Sequence, residues 1–208
     1  IGKVPYDPAL RVITAWDLGV GDSTAIWFFQ IYHQEIRVID YLEASGEGLA
    51  YYAKQLSDKP YVYEQHIMPH DIRVRELGTG KSRYEIASSL GIRPITIARQ
   101  LPVDDGINAV RGILSQCWFD KKKCERGINA LQDYHKEYDD IRQEYKLKPF
   151  HDWTSHGSDA WRYLSIAWSE EERIVQKDEP IKGLFVGQTD VSLNDLWKDT
   201  KVKTAGRI

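Results

Sequence analysis

Apolar and polar positions alternate from Val12 to Trp16, with Val12, Thr14 and Trp16 on one side and Ile13 and Ala15 on the other. A period of two places this run in a β-strand, and Asp17 ends it. The glycine-bearing "LGVGDS" that follows makes a turn. Residues 24–31, "TAIWFFQI", are almost continuously apolar, the pattern of a strand covered on both faces. "EIRVIDYL" alternates again, and the short connections predict an antiparallel meander of these strands. In "GEGLAYYAKQL", Leu49, Tyr52, Ala53 and Leu56 share one helical stripe, broken by Lys59-Pro60. "YVYEQHI" then reads as a fourth strand. The strand–helix–strand order implies a parallel, right-handed crossover.

Beyond residue 80 the pattern predicts a short helix over 81–90, starting near Ser82 with Glu85 placed for a capping box. "RPITIAR" gives a fifth strand, and residues 103–116 and roughly 123–137 have helical spacing. The polar "EYDDIRQEYKLKPFHDW" suits a hairpin around 138–150, and a last core helix is expected from about Ser158 to Glu171. Residues 1–10, with Pro5 and Pro8, read as a linker or extended arm, 11–172 as the folded domain, and 173–208 as a tail that docks on something through its scattered apolar residues. The class is α/β. The element order is that of the ribonuclease H-like fold, a mixed sheet of five or more strands flanked by helices.

Composition narrows the functional classes. A chain of 208 residues with 42% hydrophobic content, 7 Trp and 12 Tyr builds a real core. No run approaches the roughly 18 apolar residues of a membrane span, and "IGKVPYDPAL" is no signal peptide. The Ile start hints at a fragment. Cys117 and Cys124 form no disulfide framework or zinc pattern and read as reduced thiols of a cytosolic protein. A net charge of −3 argues against tight autonomous binding to nucleic acid. Basic clusters remain at Arg73, Arg75, Lys81 and Arg83, at Lys121 to Lys123, and at Lys201 and Lys203. Each is expected to be a solvated face, the first excepted because it directly follows Asp71.

Three aspartates in separate contexts carry the candidate chemistry: Asp17 and Asp71, each after a strand-like run, and Asp159 in the first turn of the last predicted helix. Hard divalent cations want oxygen ligands, and a pair of them stabilises both the attacking and the leaving oxygen of a phosphodiester displacement. Each aspartate also has a plain explanation. Asp17 and Asp71 sit where turns begin, and Asp159 suits a helix start. His156 lies one turn before Asp159 and shares its face if the helix starts that early. It is a candidate for orienting water, moving a proton or supporting a ligand, with capping as its structural alternative. His70 is a weaker candidate. Asp22 reads as a turn residue or a neighbour of the metal, Glu64 as a structural residue along the fourth strand or an auxiliary acid, Asp152 as an accessory acid, and Arg162 as the partner of an acid.

"AWDLGVGDSTAIWFFQ", "MPHD" and "SHGSDAWRYL", in this order, resemble the nuclease domain of the large terminase subunit of tailed bacteriophages, over residues 11 to 170. The resemblance implies an endonuclease that cuts concatemeric viral double-stranded DNA during packaging in the host cytoplasm. It implies two divalent cations, Mg²⁺ or Mn²⁺, one held by Asp17 and Asp71 and the other by Asp17 and Asp159, with water as the nucleophile. It also implies an ATPase domain, a portal and a small terminase subunit as partners. This chain has no Gly-x-x-x-x-Gly-Lys-Ser/Thr phosphate loop, so the motor half is expected to lie outside it. The alternatives are another ribonuclease H-like enzyme such as a resolvase, and a non-catalytic module that docks on DNA or the motor. An actin-like ATPase matches "DLGVGDSTA" but lacks its second phosphate-binding segment. A proofreading-type exonuclease is disfavoured by Asp17-Leu18-Gly19 where Asp-x-Glu is usual.

Overall fold

The computed structural model describes residues 1–19, 22–75 and 80–178. Residues 1–173 make one compact unit and 174–208 a second. From residue 179 on, the expected tail lies outside the described residues, with its Lys201 and Lys203. The strands are β1 (Val12–Asp17), β2 (Ser23–Tyr32), β3 (Glu35–Ser45), β4 (Tyr63–Met68), β5 (Ile95–Ile97) and β6 (Cys117–Phe119). They form one six-stranded sheet in the order β5-β4-β1-β2-β3-β6. β1, β2 and β3 are the expected antiparallel meander. β4 lies parallel to β1, β5 parallel to β4, and β6 parallel to β3. The sheet is mixed and α/β, as predicted, with one strand more than the minimum.

The period-two reading of β1 holds at the level of packing. Ile13 and Ala15 join Trp27, Phe29, Ala160, Trp161 and Leu164 in one buried cluster. Val12 and Trp16 join Ile26, Phe28, Tyr52, Leu56 and Ile72 in the other. Helices α1 (Leu49–Ser57) and α2 (Arg83–Ser89) cover the second face. α3 (Val103–Ile113), α4 (Glu125–Asp133) and α5 (Trp153–Asp178) cover the first. β2, central in the sheet, is buried on both sides, which is why its sequence shows no alternation.

Several local expectations hold and others change. Ser82 caps α2 as predicted: Glu85 N donates to Ser82 Oγ at 3.2 Å, and Ser82 N donates to Glu85 Oε2 at 2.7 Å. The hairpin is present as β7 (Lys136–Asp139) and β8 (Glu144–Pro149), paired antiparallel. β7 takes residues expected to end the preceding helix, so α4 stops at Asp133. β6 was not predicted, because three residues are too few to show a period. The extended arm is docked rather than free. Val4 is buried, and Gly2 N donates to Phe119 O at 2.9 Å. Gln30, buried in β2, donates to the carbonyls of Asp7 and Leu10 and accepts from Asp7 N. Burying an amide without partners costs about 1–3 kcal/mol, so Gln30 fastens the arm to the sheet. No described helix is long and apolar enough to cross a membrane.

Candidate metal centre

Parallel pairing of β1 and β4 puts their carboxyl ends at the same edge of the sheet. Ala15 stands opposite Ile67, so Asp17 is two residues further along and level with the end of β4. Pro69 then turns the chain into a 3₁₀ turn, His70–Arg73, which carries Asp71. Asp71 thus lies just past the strand, within that turn. By the same alternation that sorts the core, Asp17 shares the face of Ile13 and Ala15, the side covered by α5.

α5 begins at Trp153, five residues before the expected start, with Asp152 as its cap. Asp152 Oδ1 accepts from Thr154 N at 2.9 Å, so this acid is spent on the helix terminus. The early start places Asp159 in the second turn, where the helix dipole no longer explains it. It also puts His156 on the same face as Asp159. Two features seat α5 deep against the sheet. Trp27 Nε1, fully buried in β2, donates to the carbonyl of Gly157 at 2.8 Å. Gly157 itself has no room for a side chain: a Cβ there would stand 2.8 Å from Tyr41 Oη.

The result is a set of acids each facing a basic side chain. His156 Nδ1 lies 3.5 Å from Asp17 Oδ2, and its Nε2 lies 3.3 Å from Asp22 Oδ1. Arg83 Nη1 lies 3.8 Å from Asp71 Oδ2. Arg162 Nε and Nη2 both donate to Asp159 Oδ1, at 3.2 and 3.0 Å. Burial raises the proton affinity of Asp17, His156 counters the rise, and the charges of Asp159 and Asp71 add to it. His156 is shifted upward in turn, chiefly by its contact with Asp17, against the opposing effect of its burial.

Among the described residues, no three His, Cys, Asp or Glu side chains stand close enough to hold an ion as they are. Asp159 is turned to Arg162, and Asp71 stands beside Arg83. The donor set nevertheless suits a hard cation. It offers carboxylate oxygens with one imidazole, and Asp71 Oδ1 is buried with no hydrogen-bond donor. An orphaned buried acceptor of this kind costs about 1–3 kcal/mol, which a cation at that oxygen would relieve.

Two neighbours, His151 and Glu43, were not foreseen as part of the site. Asp22, which the sequence leaves as a turn residue or a neighbour of the metal, bridges His156 and His151, whose Nε2 is 3.6 Å from Asp22 Oδ2. Glu43 stands in register with Asp17 across Ala25 of β2 and accepts from Tyr41 Oη at 2.6 Å. The only sequence signal for Glu43 is its place in the β3 alternation, which cannot fix register alone. His70 and Glu64 are exposed, and no contact joins either to the acids. Arg162 pairs with an acid, as expected. Burial pushes the thiols of Cys117 and Cys124 up to about 12, so neither is a nucleophile at neutral pH.

No sequence-family model matches the chain, and no curated protein matches it. Solved structures do. The large terminase of a thermophilic bacteriophage, in complex with ADP, superposes with a TM-score of 0.60 at 18% identity. That match covers 79% of this chain and 41% of the terminase, so the chain spans well under half the length of that relative. The nuclease domain of the bacteriophage SPP1 large terminase, with bound Mn, matches at 0.57 and 18% identity, covering 77% of this chain and 86% of that one. The P22 large terminase nuclease domain matches at 0.59 and 16%, covering 81% and 87%. The chain has the ribonuclease H-like fold of the large terminase nuclease domains.

Proposed function

We propose that this chain is a metal-dependent endonuclease that hydrolyses double-stranded viral DNA during genome packaging, as the nuclease part of a terminase. One observation carries the reading. Asp17 and Asp71 stand at the shared carboxyl end of β1 and β4, His156 of α5 is held against Asp17, and Asp159 lies on the same face of α5, near enough for its charge to act on Asp17. Asp17, Asp71 and Asp159 would hold one or two divalent cations, Mg²⁺ or Mn²⁺, with Asp17 shared. A cation held there would supply activation of water at neutral pH and neutralisation of charge on the leaving oxygen.

The chain's own groups do the rest. Asp17, held above the ordinary carboxylate range by burial, gains most from a neighbouring positive charge. His156 is buried and set between Asp17 and Asp22, which fixes its ring. Once Asp22 releases Nε2, the ring can orient water or move a proton at that nitrogen while Nδ1 stays on Asp17. Arg83 and Arg162 hold Asp71 and Asp159 until a cation competes for them, and can then turn toward phosphate oxygens. The negative net charge predicts weak intrinsic affinity for DNA. An ATPase domain, with the portal and small terminase subunit, would supply the affinity and timing in the infected cell's cytoplasm.

Supercoiled-plasmid cleavage with Mg²⁺, Mn²⁺ or EDTA, beside Asp17→Asn, Asp71→Asn and Asp159→Asn, tests this. Metal-dependent nicking lost in all three variants supports the nuclease. A folded chain that cuts with no metal present, or variants that cut like the parent, would remove it. A folded chain that never cuts favours a docking module.

A further inference from the structure

Immediately beyond Asp71 the surface opens into a cavity of about 620 Å³ between the 3₁₀ turn, β5 and the start of α2. Arg73 and Arg75 line one wall and are exposed. Ile95 and Ile97 of β5 form an apolar floor, and Tyr84, also exposed, stands at the rim. Arg83, whose backbone N donates to Val74 O at 3.2 Å, joins this cavity to the acids through its contact with Asp71.

The charge here opposes the rest of the molecule. The chain as a whole is negative, yet three guanidinium groups cluster along one short path. Among the described lining residues the one carboxylate, Glu85, is engaged as acceptor for both Ser82 N and Ser82 Oγ, at 2.7 and 3.0 Å. Arg75 is anchored by its Nη1 to Gly80 O at 3.0 Å, which orders the side chain.

The geometry points to this groove as a seat for the sugar-phosphate backbone of duplex DNA next to the scissile phosphate, with Arg73 and Arg75 as phosphate contacts. This rests on the nuclease reading above. A strand whose reactive phosphate sits at Asp17 and Asp71 must continue past Asp71 in one direction, and this groove begins there. Guanidinium groups suit phosphate oxygens, and such contacts position a strand without reading its sequence. Tyr84 offers an edge or face to a sugar but no pattern of donors that would select a base.

The test is duplex binding in EDTA by fluorescence anisotropy, over a series of low salt concentrations, comparing the chain with Arg73→Ala/Arg75→Ala. Each neutralised phosphate contributes about 0.9 to the slope of log K against log salt. The double variant should therefore lose about 1.8 from the slope, and Arg73→Lys/Arg75→Lys should keep it. Lys121→Ala/Lys122→Ala, in the turn after β6, should leave it unchanged. Thermal midpoints check that every variant is folded. An unchanged slope in Arg73→Ala/Arg75→Ala, or no binding by the parent chain at the lowest salt, overturns the groove. The two readings fail separately. Plasmid cleavage with an unaltered slope removes only the groove, and an altered slope without cleavage removes the nuclease and leaves the groove as a duplex-binding surface with no scissile phosphate beside it.

Discussion

A single methyl group at residue 127 should destabilise this protein, whereas the same methyl at residue 112 should stabilise it. Both glycines lie in helices, Gly127 in α4 and Gly112 in α3. A Cβ at Gly112 meets nothing within 4 Å, and the position is exposed. Gly112→Ala should gain up to about 1 kcal/mol from helix propensity and the narrower unfolded ensemble. A Cβ at Gly127 would stand 2.3 Å from Trp27 Cη2 and 2.8 Å from Tyr41 Cδ2. Ordinary carbon contacts are about 3.5 Å or more, so α4 or the indole must give way by about 1.2 Å. Trp27 has little room: it is fully buried, with ring centroids 4.5 Å from Tyr41 and 5.1 Å from Trp161.

Overpacking of this kind costs about 3 kcal/mol at the upper end of its range, and the propensity gain offsets about 1 of it. Gly127→Ala should therefore lose about 2 kcal/mol. For a domain of this size that is a fall of about 4–8 °C in thermal midpoint, against a rise of about 2–4 °C for Gly112→Ala. Urea and thermal unfolding read both. Because Trp27 also holds the Gly157 carbonyl of α5, Gly127→Ala should disturb His156 and Asp159 and lower cleavage more than its stability loss alone explains. If Gly127→Ala stabilised as much as Gly112→Ala, the close seating of α4 and α5 would be wrong.

Other predictions concern charge. His66 is buried, with Nδ1 2.6 Å from Thr14 Oγ1, and burial lowers its pKa to about 4. A folded value below the unfolded 6.5 means the contribution is complete above pH 6.5 and is lost as pH falls toward 4. About 3 kcal/mol should disappear over that window, and urea midpoints of His66→Gln should show a flatter pH dependence there. Asp17→Asn should raise the thermal midpoint in EDTA at neutral pH. The folded pKa of Asp17 lies above its unfolded value, so stability falls as pH rises through it, and an amide escapes that penalty. A lower midpoint in this variant would mean that the pairing with His156 outweighs burial. His156→Ala should reduce metal-dependent plasmid cleavage by roughly 10²-fold or more, the scale of acid–base assistance. Parent-like rates would confine His156 to structure.

Much of this was legible in the chain because long periodic runs report their faces. The alternation of Val12 to Trp16 separates the two cores, and the uniform apolar run of β2 reports a strand buried twice. Asp17, Asp71 and Asp159 were visible as acids at element ends. What escaped the sequence was fixed by tertiary contacts. Glu43 and His151 reach the site through strand register and loop path, neither of which is encoded in a local pattern. β6 exists because the edge of β3 pairs with three residues that have no period of their own. The start of α5 was misplaced because "HDWTSH" is polar, while Asp152 and Thr154 make a cap whose signal is chemical rather than periodic.

The most direct test of the central claim is a calorimetric titration of Mn²⁺ into the folded chain and into Asp17→Asn, Asp71→Asn and Asp159→Asn. Saturable binding by the parent that weakens sharply in each variant is the predicted result. Binding that is unchanged by all three substitutions would contradict the assignment of the cations to these carboxylates.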